Sequence, residues 1–111
     1  MAVKSGQSID ESTMTASTDA TVVSSGGSET KEVYLLSFHD QGGSGGNVEL
    51  FLSDDDTSAS GERIDYIALD PNQRKEAVLA VVNSGKYLIA KPDAGDITFH
   101  GAYTLRNGGD L

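Results

Sequence analysis

The stretch Glu32-Val33-Tyr34-Leu35-Leu36-Ser37-Phe38-His39, the turn Asp40-Gln41-Gly42-Gly43-Ser44-Gly45-Gly46, and the stretch Asn47-Val48-Glu49-Leu50-Phe51-Leu52-Ser53 decide the fold class. In the first stretch Tyr34, Leu36 and Phe38 fall on one face of a strand. Val33, Leu35, Ser37 and His39 fall on the other. Four glycines in the seven-residue turn rule out regular structure there. In the second stretch Val48, Leu50 and Leu52 point inward, opposite Glu49 and Phe51. Two period-2 runs separated by a short glycine-rich turn read as two short strands.

The same rhythm continues outward. Arg63–Leu69, Tyr87–Lys91 and Asp96–Leu105 read as strands, the last two joined by Pro92-Asp93-Ala94-Gly95. In the last strand Ile97, Phe99 and Tyr103 share a face with Gly101, where a side chain is absent. Asp70-Pro71-Asn72-Gln73-Arg74-Lys75-Glu76 is ambiguous. Asp followed by Pro is a helix-start signal, but the run Val78-Leu79-Ala80-Val81-Val82 is rich in β-branched residues. A turn through Pro71-Asn72 followed by a strand over Arg74–Val82 is the preferred reading. With no strand–helix alternation and no internal repeat, the expected architecture is an all-β, antiparallel two-layer β-sandwich, jelly-roll-like.

Residues 1–31 differ. Twelve of them are Ser or Thr, and the larger apolar residues are few: Val3, Ile9, Met14, Val22 and Val23. So polar a segment does not order by itself. It either pairs as a strand with the body or is held by a neighbouring chain. The organisation expected is an extended or strand-adding N-terminal arm over 1–31, a sandwich body over 32–105 and a C-terminal tail over 106–111.

Composition narrows the function. The 111 residues suit one domain. Eight basic against seventeen acidic residues give a formal charge of −9, which disfavours nucleic acid and anionic lipid as partners. The chain has no Cys, so no disulfide, thiolate zinc site or Cys nucleophile is available. The longest apolar run, Ala77–Val82, is too short to cross a bilayer, and the first residues do not read as a signal peptide.

The residues that invite a chemical reading give little. Asp54-Asp55-Asp56 suggests calcium, but an EF-hand register from Asp54 puts Ser58 at position 5, Ala59 at position 6 and Asp65 at position 12. A solvated loop is the preferred reading. His39 and His100 lack close ligand spacing. His39 and Asp40, as strand neighbours, point to opposite faces and form no dyad. Gly42–Gly46 lacks the order of a phosphate loop. Arg74-Lys75, the basic pair, reads as a solvated strand start able to meet an acidic patch in an oligomer. No catalytic residue, metal or cofactor is expected.

Several elements together resemble a group of small virion structural proteins of tailed bacteriophages. They are Val3-Lys4-Ser5-Gly6-Gln7-Ser8 before a Thr/Ala/Ser-rich strand, Val33–His39, and Val48–Asp55. The pattern continues with Ile64-Asp65, Leu69–Glu76, Ile89-Ala90-Lys91 and Asp93–Ile97, and ends in a strand containing Gly101. The likeness covers about residues 32–103. The Ser/Thr-rich first third and the Arg106–Leu111 tail depart from the group's pattern. The resemblance implies a virion component without enzymatic activity. The leading expectation is a capsid decoration (cement) protein made in the host cytoplasm. It would be trimeric, sitting on the outer head surface, with the major capsid protein and itself as partners. Ile9, Met14, Val22 and Val23 are the expected partner-binding anchors. The alternatives are a carbohydrate-binding host-recognition module on a tail or fibre, with the Gly42–Gly46 and Asp54–Gly61 loops and Tyr66, Tyr87 and Tyr103 as its contacts, or a head–tail connector component.

Overall fold

The computed structural model describes residues 6–107, and for Arg106 and Asn107 the backbone alone. Nine strands run in chain order: β1 (Gly6–Met14), β2 (Ala20–Ser24), β3 (Glu29–Asp40), β4 (Gly46–Ser53), β5 (Gly61–Leu69), β6 (Arg74–Glu76), β7 (Ala80–Val82), β8 (Tyr87–Pro92) and β9 (Ile97–Asn107). The first sheet has the order β1-β9-β3-β6, with β7 also on β3; the second is β2-β8-β4-β5. Every pairing is antiparallel. Taken as one interrupted edge strand, β6 and β7 complete a set of eight. The chain visits the sheets in the order first, second, first, second, second, first, second, first. That order is a jelly roll, an antiparallel two-layer sandwich.

The expected arm adds one strand to each sheet of this chain's own sandwich, and the next strand begins at Glu29. Arg106 and Asn107 continue β9; the rest of the expected tail, and residues 1–5, lie outside the described residues.

The core lies between the sheets. Leu36, Phe38, Val48, Leu50, Val82, Leu88, Ala90 and Ile97 are all but fully buried, and Phe38 meets Phe99 edge to face at 6.4 Å between centroids. Inward side chains on both layers follow the alternation that the sequence shows.

Five departures from simple alternation shape the surface, one of them an extra residue, Ile64, in β5 opposite Leu50 and Phe51. In β3, Val33 pairs Tyr103 and Leu35 pairs Ala102, so Tyr34 is an extra residue, a β-bulge. The bulge reverses the face. Val33 is buried, Leu36 and Phe38 are buried, and Tyr34 is half exposed rather than sharing their side as expected. The strand expected over Arg74–Val82 is interrupted opposite that bulge: the Ala77 N–H still donates to the Leu36 carbonyl at 2.9 Å, Val78 and Leu79 leave the ladder, and β6 and β7 keep one register against β3. In β1 the register shifts between Ile9 and Ser12, leaving Asp10 and Glu11 opposite one residue of β9. In β2 the extra residue is Val22, and both Val22 and Val23 are buried.

Two glycines are fixed by space. A Cβ on Gly101 would lie 3.1 Å from the Leu35 carbonyl carbon and closer still to its oxygen. Gly45 has φ +76, and a Cβ there would stand 2.9 Å from the Leu69 oxygen. The segment Asp70–Gln73 forms the expected turn. Asn72 has φ 64, and the Gln73 N–H donates to the Asp70 carbonyl at 2.9 Å, a type II pattern with Pro71 at its second position.

Candidate assembly surfaces

Ile9, Met14, Val22 and Val23 are 4–8% exposed and belong to this chain's core. Side chains so placed leave little surface for a neighbour, and this follows from the strands that carry them pairing with β9 and β8. Three of them still meet at one place. Ile9, Val22 and Val23, with Phe99 and Tyr103, form the apolar floor of a groove of about 420 Å³ between β1 and β2, the open side of the sandwich. Met14 does not line it. Lys31 closes one part of the groove, its ammonium donating to the Ser24 carbonyl at 2.6 Å and lying 5.0 Å from the Tyr103 ring centroid.

The opposite edge of the first sheet carries a surface that sequence reading did not anticipate. Among the described residues the exposed large apolar side chains are Tyr34, Tyr66, Val78, Leu79 and Val81. Val78, Leu79 and Val81 sit on the interrupted edge strand, whereas the Tyr34 ring reaches across β9 to Gly6 on β1. Such concentration on one edge marks an interaction surface, whereas scattered exposure would not. The edge backbone is partly capped: the Val78 N–H donates to Asp65 Oδ2 on β5 at 2.9 Å. The sequence signal was available as the apolar run Ala77–Val82 in a strand start bearing Arg74-Lys75, but the run reads equally well as buried core.

The carboxylates that suggest chemistry are bound to their own loops. Asp40 is fully buried at the end of β3. It accepts from the N–H groups of Gly45 at 2.7 Å, Asn72 at 3.1 Å and Gly42 at 3.2 Å. Those bonds, led by Gly45, hold its carboxyl below the usual value of 3.8. Asp55 accepts from Ser60 Oγ, Thr57 Oγ1 and the Thr57 N–H, which likewise lower its carboxyl. Asp54 pairs with Lys86. The Asp54–Ser60 loop folds back over the outer face of the second sheet, where the Ser58 N–H reaches Asp19 Oδ2 at 2.9 Å. There Phe51 pairs the fully buried Ile89. Asp93 accepts from the N–H and side-chain amide of Asn47 at 2.7 and 2.8 Å, which lower its carboxyl.

The histidines share the outer face of the first sheet, where Ser37 pairs His100 and His39 pairs Thr98. The Arg74 guanidinium lies 3.5 Å from His100 Nδ1. Among the described residues no group of three or more His, Cys, Asp or Glu is placed to hold a metal ion, and no helix is long and apolar enough to cross a membrane.

The glycine-rich loop and the acidic loop lie at opposite ends of the eight-residue β4, about 26 Å apart. They do not form one binding surface. The three tyrosines also separate: Tyr66 is on β5, Tyr87 begins β8, and Tyr103 lines the β1–β2 groove.

No protein-family model matches the chain, and no curated protein matches it. Among solved structures, a pentameric capsid protein isolated from metagenomic phage sequences is similar with a TM-score of 0.43 and 19% identity, over 90% of this chain. The chain spans 61% of that protein's length. Likeness at that level assigns neither family nor function.

Proposed function

We propose that this chain is a non-enzymatic structural protein of a phage virion, a decoration (cement) protein on the outer surface of the head. It binds major capsid subunits and other copies of itself, as a trimer, and many copies together raise the barrier to rupture of the shell. The observation that carries the reading is the apolar edge of Val78, Leu79 and Val81, a surface suited to another protein chain. The charge of −9 suits the outside of a shell better than its DNA-filled interior. The most conspicuous carboxylates, Asp40, Asp55 and Asp93, are engaged in holding turns. The sequence pattern shared with small phage virion proteins points the same way. A receptor-binding module on a tail or fibre draws less support, because the loops it would use stand at opposite ends of β4.

The test is the copy number of this chain in purified virions, relative to the major capsid protein, by quantitative mass spectrometry. A ratio near one to one supports a protein that coats the shell. A ratio of a few per cent assigns it to the neck or tail and overturns the decoration reading, as does its absence from particles.

A further inference from the structure

We propose that the β6–β7 edge of one copy inserts into the β1–β2 groove of the next, so that copies of this chain join head to tail in a closed ring. The inference rests on the reading above only in taking the chain to self-associate. It names the surfaces that do so.

The two surfaces match in chemistry. The edge offers three exposed aliphatic side chains, Val78, Leu79 and Val81, at 46, 62 and 45% exposure. The groove is an open cleft whose floor shows only a narrow apolar strip, Ile9, Val22, Val23 and Phe99 being 4–8% exposed, beside Tyr103 and between polar walls that include Asp10, Thr21 and Lys31. Neither surface is complete alone. The strip leaves three aliphatic side chains in solvent, and the groove is an open cleft between the edges of the two sheets.

They also match in charge. Arg74 and Lys75 precede the strip at one end, with the exposed Glu76 after them, in a chain with eight basic residues in all. Asp10 and Glu11 stand on the β1 bulge beside the groove. All four are exposed. The side chains of Lys75, Asp10 and Glu11 make no hydrogen bond or ion pair among the described residues. Charges left free on two separate edges are satisfied when those edges meet.

The topology makes the contact directional. The strip and the groove lie at opposite edges of one sheet, so each copy uses different surfaces towards its two neighbours. Such a heterologous contact gives rings when the rotation closes. The first sheet has strand directions that alternate across β1, β9, β3 and the β6–β7 edge. Rotation about an axis along the strands keeps those directions, so each β6–β7 edge runs antiparallel to the next copy's β1. The contact is made by side chains and not by a continuous backbone ladder, because Asp65 already holds the Val78 N–H.

The experiment measures the mass of the full-length protein in solution by light scattering and sedimentation velocity, without any capsid present. The expected mass is that of three or more chains. Leu79→Lys, at an exposed position, is expected to give a folded monomer. The pair Arg74→Glu and Lys75→Glu is expected to weaken association about tenfold or more, and so is the pair Asp10→Lys and Glu11→Lys. All four changes in one chain restore the oligomer with its charges exchanged. A native monomer or dimer overturns the proposal. So do charge variants that keep the native mass, or a four-fold variant that stays dissociated. The two readings fail separately. A monomer present at one copy per capsid subunit refutes the ring and leaves the decoration role standing. A ring-forming protein missing from virions does the reverse.

Discussion

Gly101→Ala tests the bulge on which the exposed edge depends. The added methyl would fall 3.1 Å from the Leu35 carbonyl carbon, 3.2 Å from the Leu36 Cα and nearer still to the Leu35 oxygen. These are backbone atoms of β3, at the middle of its long ladder with β9. No rotamer change relieves the clash. To reach an ordinary C···O separation the strands must part by roughly 1 Å. That movement stretches about two ladder hydrogen bonds beyond useful range, at about 1 kcal/mol each, and adds about 1–3 kcal/mol for overpacking. The expected loss is about 3–5 kcal/mol, seen as a fall in Tm of about 10 °C or more. Chemical and thermal unfolding followed by circular dichroism measure it. Gly27→Ala and Gly95→Ala are the controls, since a Cβ at either meets nothing within 4 Å; they should stay within about 0.5 kcal/mol of the native protein. If Gly101→Ala is as stable as these controls, Leu35 does not press on β9 and the bulge geometry argued above is wrong.

Ile9→Ala and Met14→Ala are each expected to cost about 2–5 kcal/mol, because both side chains are buried in this chain's own core; denaturant unfolding measures this, and a loss below about 0.5 kcal/mol would mean that they serve another chain instead. The lowered Asp40 carboxyl contributes stability that is full above 3.8 and disappears as pH falls through its folded-state value. Asp40→Asn should therefore destabilise at neutral pH and flatten the acid limb that lies below 3.8, a difference that vanishes if the three N–H bonds are absent. Asp65→Ala should release the Val78 N–H, speeding amide exchange over 77–79 while costing about 1 kcal/mol or less; unchanged exchange would show that the Asp65 bond does not form.

The strands were legible where alternation is strict. Val48 and Leu50 pack inward as their spacing predicts. The turn at Pro71-Asn72 followed from its residue types. The bulge at Tyr34 was not legible, because Tyr34, Leu36 and Phe38 alternate perfectly in the sequence. The bulge is imposed by β9, which supplies one fewer residue between Tyr103 and Ala102. Gly101 was visible only as a missing side chain; that it makes room for a carbonyl of the next strand depends on strand order. The same limit explains the interrupted edge. Val78-Leu79-Ala80-Val81-Val82 looks continuous, yet Leu79 faces the bulge and turns outward. In the first third, sparse apolar residues suggested an extended or strand-adding arm with few anchors. Few are needed when each one points into the core, as Ile9, Met14, Val22 and Val23 do. Of the candidate surfaces, the sequence named three residues of the groove floor and missed the edge that would fill it.

The place of β9 between β1 and β3 bears on how the protein comes to fold. Its partners lie near the other end of the numbering, with Gln7 beside Tyr103 and Met14 beside Ile97. Such pairings have high contact order and form slowly, since a long loop must close before they are rewarded. During synthesis the first sheet has an empty lane at its centre until residues 97–107 emerge from the ribosome. Before then β1 and β3 have no common neighbour, and their edges are open to wrong partners. A chain interrupted before β9 can therefore build the second sheet but never close the first, so an assembly built on that sheet draws only on fully translated copies.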